Sequence, residues 1–428
     1  MTRDWWFGET VRGFFRRRAA LLVGALLFAL AFSVYAPIAV RFAGTAAYEY
    51  NDLLFEIDAR RVIQDMTDPG GNHRRTSVHP IYVLLVNPLG TLLTRLTGSG
   101  RVAAALLTAA LGALGVALGY RFFLLRGGRH LNGVALAALF ALTASQLLFS
   151  TVPDYESLAV CGLLLTYLLF TTSLSRGLCG RIPWVLAGVL CLGVTTTNFV
   201  QTLICYGIAS RSGQERPPLR SWVARLAAYA LTVLGIVVGL SLLQKAIYPT
   251  SELFFQPQAY VREAYSFLSP LVLERPLFVV AQLLKYAFLI NVVAPVPTHH
   301  IVGNQLVLRF SESVAYSPLG AAGVALWALL LVAGAVGVAT ARHERRLGLG
   351  ILLCLLFNLA LHAVYGVGTR KTLHELFMFT GNFTFLVFMT LGGPGFRWRW
   401  AWGAIAAAAA VVIGLNHWEL VRLIIATF

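Results

Sequence analysis

Residues 81–96 read IYVLLVNPLGTLLTRL. The stretch is apolar enough to suggest a membrane span. It is interrupted by Asn87, Pro88 and Gly90, however, and it is short against the roughly 20 residues that a helix needs to cross a bilayer. The neighbouring segment makes the choice matter. Residues 101–125 form a better span and end in Arg126, Gly127, Gly128 and Arg129. If both segments cross, that basic cluster falls outside. If 81–96 lies along the outer surface, the cluster falls inside, where loop arginines collect. The second reading makes the rest of the chain consistent.

A mean hydropathy of +0.73, with 58% hydrophobic and 12% charged residues, predicts a polytopic all-α membrane protein. The formal charge of +16 is spread over short arginine clusters between apolar runs, which are topology signals and not a nucleic-acid face. Cys161, Cys179, Cys191, Cys205 and Cys354 lie in or beside apolar runs without paired spacing, so neither a disulfide framework nor a zinc site is expected. Arg16, Arg17 and Arg18 precede an apolar run at 19–40, too long for a signal peptide and read as an anchored first span leaving the cytoplasm. Further spans are expected at 101–125, 131–150, 157–174, two within 182–209, and at 222–243, 319–340, 347–366, 376–393 and 400–416. That gives about 11 in all. The apolar piece 277–296, broken by Lys285, Asn291 and Pro295, is expected to ride on the interface.

This threading sends the unusual polar clusters to one side. The first outer loop carries Asp52, Glu56, Asp58, Arg60, Arg61, Asp65, His73, Arg74, Arg75 and His79. The next outer loop carries Asp154 and Glu156, and a late one Arg370, Lys371, His374 and Glu375. Asp58, Arg61 and Asp65 also fit a solvated helix face, and Arg74 with Arg75 fits simple attraction to lipid headgroups. Asp154 lies between two spans, where an acid needs a partner or a task. Guanidinium groups suit a phosphate-bearing lipid, and a neighbouring carboxylate suits proton abstraction from a hydroxyl. Together they point to group transfer from a lipid phosphate to an alcohol.

The segment from Asn51 to Met66 resembles the acidic first loop of the GT-C superfamily of membrane glycosyltransferases, which includes the oligosaccharyltransferase catalytic subunit, protein O-mannosyltransferases and the aminoarabinose transferase. Val78-His79-Pro80-Ile81-Tyr82 is similar to that family's entry to a surface-lying helix, Pro153-Asp154-Tyr155 to its second acidic loop, and Gly368-Thr369-Arg370-Lys371 to its late basic site. The resemblance implies a GT-C-like catalytic module over 1–245 with outer loop 41–100 and surface helices within it. A second region, 246–428, holds the long outer loop 245–318 and the C-terminal spans, with no separate soluble domain. It further implies inverting transfer of a monosaccharide from a polyprenyl-phosphate donor to a hydroxyl of a lipid-linked glycan, envelope polysaccharide or similar acceptor, on the outer face of the plasma membrane. Asp58 and Asp52 compete for the base, and Asp58 is favoured because it precedes a helix start. Arg74, Arg75, Arg370 and Lys371 are expected to neutralise phosphate and His79 to hydrogen-bond it. His73, Asp154, Glu156, Asn198, His374 and Glu375 complete the substrate site. No metal or other cofactor is expected. The alternatives are a transporter or flippase for an anionic lipid-linked substrate, and a non-catalytic assembly partner.

Overall fold

The structure is a computed structural model that describes residues 3–212, 217–258, 269–364, 366, 373–392 and 399–428. It is a bundle of helices with one small hairpin. In chain order these are α1 (Arg3–Ala43), α2 (Ala59–Thr67), α3 (Tyr82–Thr97), α4 (Gly100–Gly127), α5 (His130–Ala141), α6 (Ala144–Thr151), α7 (Glu156–Arg176), α8 (Arg181–Val194), α9 (Asn198–Ala209) and α10 (Leu219–Ile247). Then come α11 (Pro270–Glu274), α12 (Pro276–Lys285), the antiparallel strands β1 (Thr298–Val302) and β2 (Gln305–Arg309), α13 (Pro318–Thr340), α14 (Arg345–Ala363), α15 (Leu376–Gly381), α16 (Thr384–Phe388) and α17 (Arg399–Thr427).

Among the described residues, seven helices are long and apolar enough to cross a membrane: the part of α1 from Arg18, then α4, α7, α10, α13, α14 and α17 from Trp400. The pair α5–α6, bent by 65° at a short break, makes eight if counted as one span. The three remaining expected spans correspond to α8, α9 and α15–α16, which are apolar but shorter. Residues 81–96 form α3, which is not among the helices that satisfy length and hydropathy for a crossing.

The loops sort to two ends of the bundle. At one end Arg101 pairs with Glu49 at 2.9 Å, the Ile81 amide donates to the Gly193 carbonyl, and Gln244 bonds both Leu84 and Pro80. At the other, Arg126 pairs with Glu344 and Arg346 donates to the Ser212 carbonyl. Residues 286–294 do not ride on a surface. Tyr286, Ala287, Ile290, Asn291, Val292, Val293 and Ala294 are all buried, because the α5–α6 break offers unpaired backbone groups. The Ala144 and Ser145 amides donate to the Val292 and Asn291 carbonyls. α17 also continues to Thr427, well beyond the expected 400–416.

The residues that break the apolar pattern of α3 have work in this packing. Asn87 Nδ2 donates to the Asp65 carbonyl at 3.0 Å, satisfying one of the carbonyls left open at the end of α2. At Gly90 the two helices touch, and a Cβ there would lie 2.0 Å from the Met66 carbonyl oxygen. Gly90→Ala is therefore expected to push α2 off α3 and to cost about 1–3 kcal/mol, the typical range of overpacking. Thermal unfolding of the detergent-solubilised protein checks this, and an unchanged midpoint would refute the α2–α3 contact.

Candidate functional site

Residues 51–58 form a tight acidic turn. Asp52, Phe55 and Glu56 all take positive φ (66°, 53° and 63°), a conformation costing residues with a Cβ of order 1–3 kcal/mol each unless the surroundings impose it. Strand β2 imposes it. The Phe55 amide donates to the Leu308 carbonyl at 2.9 Å and the Leu308 amide to the Leu53 carbonyl at 2.8 Å. Phe55 stacks on Phe310 with centroids 4.2 Å apart, and Arg309 Nε donates to Glu56 Oε1 at 2.5 Å.

Within this turn the two competing aspartates differ. Asp58 stands at the N-cap of α2 but makes no side-chain capping bond; Asn51 Oδ1 accepts from the Arg61 amide at 3.1 Å instead. The Asp58 carboxylate is occupied by two guanidiniums, with Arg61 Nη1 at 2.6 Å and Arg75 Nη2 at 3.7 Å from Oδ2. Its partners are guanidiniums and not the open amides of the helix start. Asp52 remains exposed, close to Asp58, Glu56 and Glu375. Partial desolvation, then repulsion from Asp58 and Glu56, push its pKa up to about 7, with Arg61 opposing.

The second loop joins from below. Asp154 is buried, its Oδ1 accepts from the Glu156 amide at 3.3 Å, and its Oδ2 has no protein partner. Burial first and the Asp58 charge second raise its pKa to about 7. Glu156 is buried too, with Asn382 hydrogen-bonded to its carboxyl group and Oε2 unpartnered. Glu375, at the N-cap of α15, completes the acid group. Its pKa is raised by desolvation and then by Glu56 and Asp58.

Beneath these acids runs a network that fixes the loops to one another. Buried Asp65 accepts the Tyr155 hydroxyl at 2.6 Å on Oδ2, while His73 Nδ1 lies 2.7 Å from Oδ1. Tyr155 stacks face to face on His79, with centroids 3.7 Å apart, and His79 Nδ1 lies 2.6 Å from the Val194 carbonyl. Burial and the nearby Arg75 lower the His79 pKa to about 3, so this imidazole is neutral at physiological pH and anchors the turn after α8.

The expected residues therefore separate. Asp52, Asp58, Arg75, Asp154, Glu156 and Glu375 converge. His73 is fully buried against Asp65 and His79 against Tyr155, so both support the site from within. Arg74 points elsewhere, into a cleft of about 210 Å³ with Asn51, Arg60, Arg61, Gln64 and Asn72. Asn198 Oδ1 accepts from Gln201 at 3.5 Å. His374 is half-buried 6.2 Å from the His300 ring, its pKa lowered by desolvation and then Arg309. Arg370 and Lys371 lie outside the described residues.

Sequence reasoning gave no role to Tyr155 or Arg309 and read Asp65 as part of a solvated helix face, whereas Asp65 is buried and bonded by Tyr155. Asp65 had a signal, since it falls beside Val62 and Met66 on the buried stripe of α2. Arg309 had none, because its role depends on a hairpin that only tertiary packing brings to the turn. Among the described residues no three or more His, Cys, Asp or Glu side chains are grouped to hold a metal. No family model, no curated protein and no solved structure matches the chain, so the geometry of this site carries its functional reading.

Proposed function

We propose that the chain is an inverting glycosyltransferase that moves a monosaccharide from a polyprenyl-phosphate donor to a hydroxyl of a lipid-linked glycan, envelope polysaccharide or similar acceptor. The observation that supports it best is the contrast between two neighbouring aspartates. An open Asp52 with a pKa near 7 suits a general base, whose basicity is most useful near the working pH. Asp58, held by Arg61 and Arg75, keeps two guanidiniums at the site.

In this reading Asp52 takes the acceptor's hydroxyl proton. The freed oxygen attacks the anomeric carbon, the bond from that carbon to the phosphate oxygen breaks, and its electron pair leaves with the lipid phosphate. Configuration inverts because attack and departure occur on opposite faces. Arg75, with Arg370 and Lys371 as further candidates, meets the charge growing on the phosphate. The unpartnered Oδ2 of Asp154 and Oε2 of Glu156 are acceptors suited to sugar hydroxyls. The opposite end of the bundle carries Arg121, Arg126, Arg129, Arg176 and Arg346. By the positive-inside rule that favours the acids lying on the outer face of the plasma membrane.

Purified protein in detergent, given a polyprenyl-phosphate sugar and an acceptor, should release free polyprenyl phosphate. Substrate movement in sealed vesicles without such release would support the transport reading instead. A second expectation concerns pH. The base works ionised, so the rate should fall as pH drops through about 7. Asp52→Asn should lower turnover by at least about a hundredfold and abolish that limb, whereas Asp154→Asn should keep it. Because the folded-state pKa of Asp52 is raised, its ionised form disfavours folding increasingly from about pH 4 up to about 7. Asp52→Asn should thus melt no lower than the parent protein at pH 8. An Asp52→Asn protein with full activity would assign the base elsewhere, first to Asp58.

A further inference from the structure

A cavity of about 1610 Å³ opens at the end of the bundle opposite the acids, between Ala20 of α1, the end of α4, α5, the end of α7 and the first half of α17. It exceeds the roughly 300–1,000 Å³ of a typical small-molecule pocket. Its lining has two parts. The walls are apolar, with Leu124, Val134 and Ala138 on one side and the small side chains Ala404, Ala407 and Val411 of α17 on the other. Those three α17 residues are exposed and recur at i, i+3 and i+7, one face of a helix. The mouth is basic, formed by Arg121, Arg129, His130 and Arg176. No described aspartate or glutamate lines it.

An apolar slot with a cationic mouth is complementary to a molecule with an anionic head and hydrocarbon chains. The Tyr120 hydroxyl lies 2.6 Å from His130 Nδ1. With that hydroxyl donating, the imidazole carries its proton on Nε2 and offers a further donor beside the arginines. Trp400 and Leu131, exposed by 68% and 84%, flank the mouth where aromatic and aliphatic side chains meet the headgroup layer. We infer that this cavity binds one anionic glycerophospholipid from the leaflet facing away from the acidic site. Its phosphate sits among Arg121, Arg129 and Arg176, and its acyl chains lie along the alanine face of α17. The site shares no residue with the proposed catalytic centre, so it stands or falls independently of that reading.

Native mass spectrometry of the full chain released from detergent tests it, with palmitoyl-oleoyl phosphatidylglycerol and phosphatidylcholine as probes. One phosphatidylglycerol should be retained in preference to phosphatidylcholine. At roughly fivefold per headgroup arginine, the triple variant Arg121→Gln, Arg129→Gln, Arg176→Gln should bind it about a hundredfold more weakly. Ala407→Phe, which fills the slot and leaves every charge in place, should also displace it. Equal retention of phosphatidylcholine, or undiminished phosphatidylglycerol binding in both variants, would overturn the assignment. So would displacement by millimolar inorganic phosphate, because the chains would then contribute nothing. Melting temperatures of both variants close to the parent value exclude misfolding as the cause of lipid loss.

Discussion

The break between α5 and α6 is the joint on which the site depends. A helix interrupted inside a bundle must find partners for the backbone groups it frees, since no water is there to take them. Four long-range contacts do this. The Tyr35 hydroxyl donates to the Ala141 carbonyl at 2.6 Å, His417 Nδ1 lies 2.6 Å from the Leu142 carbonyl, and the Ala144 and Ser145 amides donate to Val292 and Asn291. His417 Nε2 in turn accepts the Ala294 amide at 2.9 Å. The first helix, the long middle segment and the last helix thus converge on one joint. With those groups satisfied, the 65° bend is set, and it aims α6 so that residues 152–156 arrive beneath the acidic turn. The placement of Asp154 against Asp58 follows from backbone hydrogen bonding far from either.

Charge is handled differently at the two ends. At the acidic end most charges are paired or crowded: Asp58 with Arg61 and Arg75, and Glu56 with Arg309. Partial desolvation raises the pKa of Asp52 most, and the neighbouring Asp58 and then Glu56 add to it. A cluster of acids without the arginines would shed protons less readily throughout, and a fully paired one would leave no basic oxygen free.

Much of the architecture was legible in the chain. Asn87, Pro88 and Gly90 mark residues 81–96 as too short and interrupted for a long span, and α3 is not among the helices long and apolar enough to cross a membrane. The seven long apolar helices among the described residues, eight with the bent α5–α6 pair, follow from hydropathy because a lipid environment demands apolar side chains on the helix surface. What stayed illegible depends on contacts between distant segments. No Gly or Pro marks the break at Leu142-Thr143. The segment 277–296 looks interfacial by composition because Lys285 and Asn291 are polar, yet Asn291 is buried, with Nδ2 donating to Thr380 at 2.6 Å. Asp58 looks like a helix-capped carboxylate because it precedes Ala59, but Asn51, seven residues earlier, takes the cap. In each case local sequence shows a polar group needing a partner and is silent on which partner reaches it.

The hairpin β1–β2 shows how that silence bears on mechanism. A turn with three residues at positive φ is unfavourable alone; none of residues 51–58 is glycine, and within the turn only the Asp52–Ile57 and Ile57–Leu54 backbone bonds oppose that cost. The remaining offset comes from two backbone bonds to Leu308, the Phe55–Phe310 stack and the Arg309–Glu56 ion pair, all supplied from about 250 residues downstream. Leu308 is fully buried, whereas Ile301 near the hairpin tip is 82% exposed, so the end of the hairpin that holds the turn is packed into the bundle while its tip is not. The acidic turn therefore acquires its shape only when the second half of the chain has folded onto the first. A site assembled this way belongs to neither half alone, and the raised pKa of Asp52, which depends on the turn's geometry, is a property of the whole bundle.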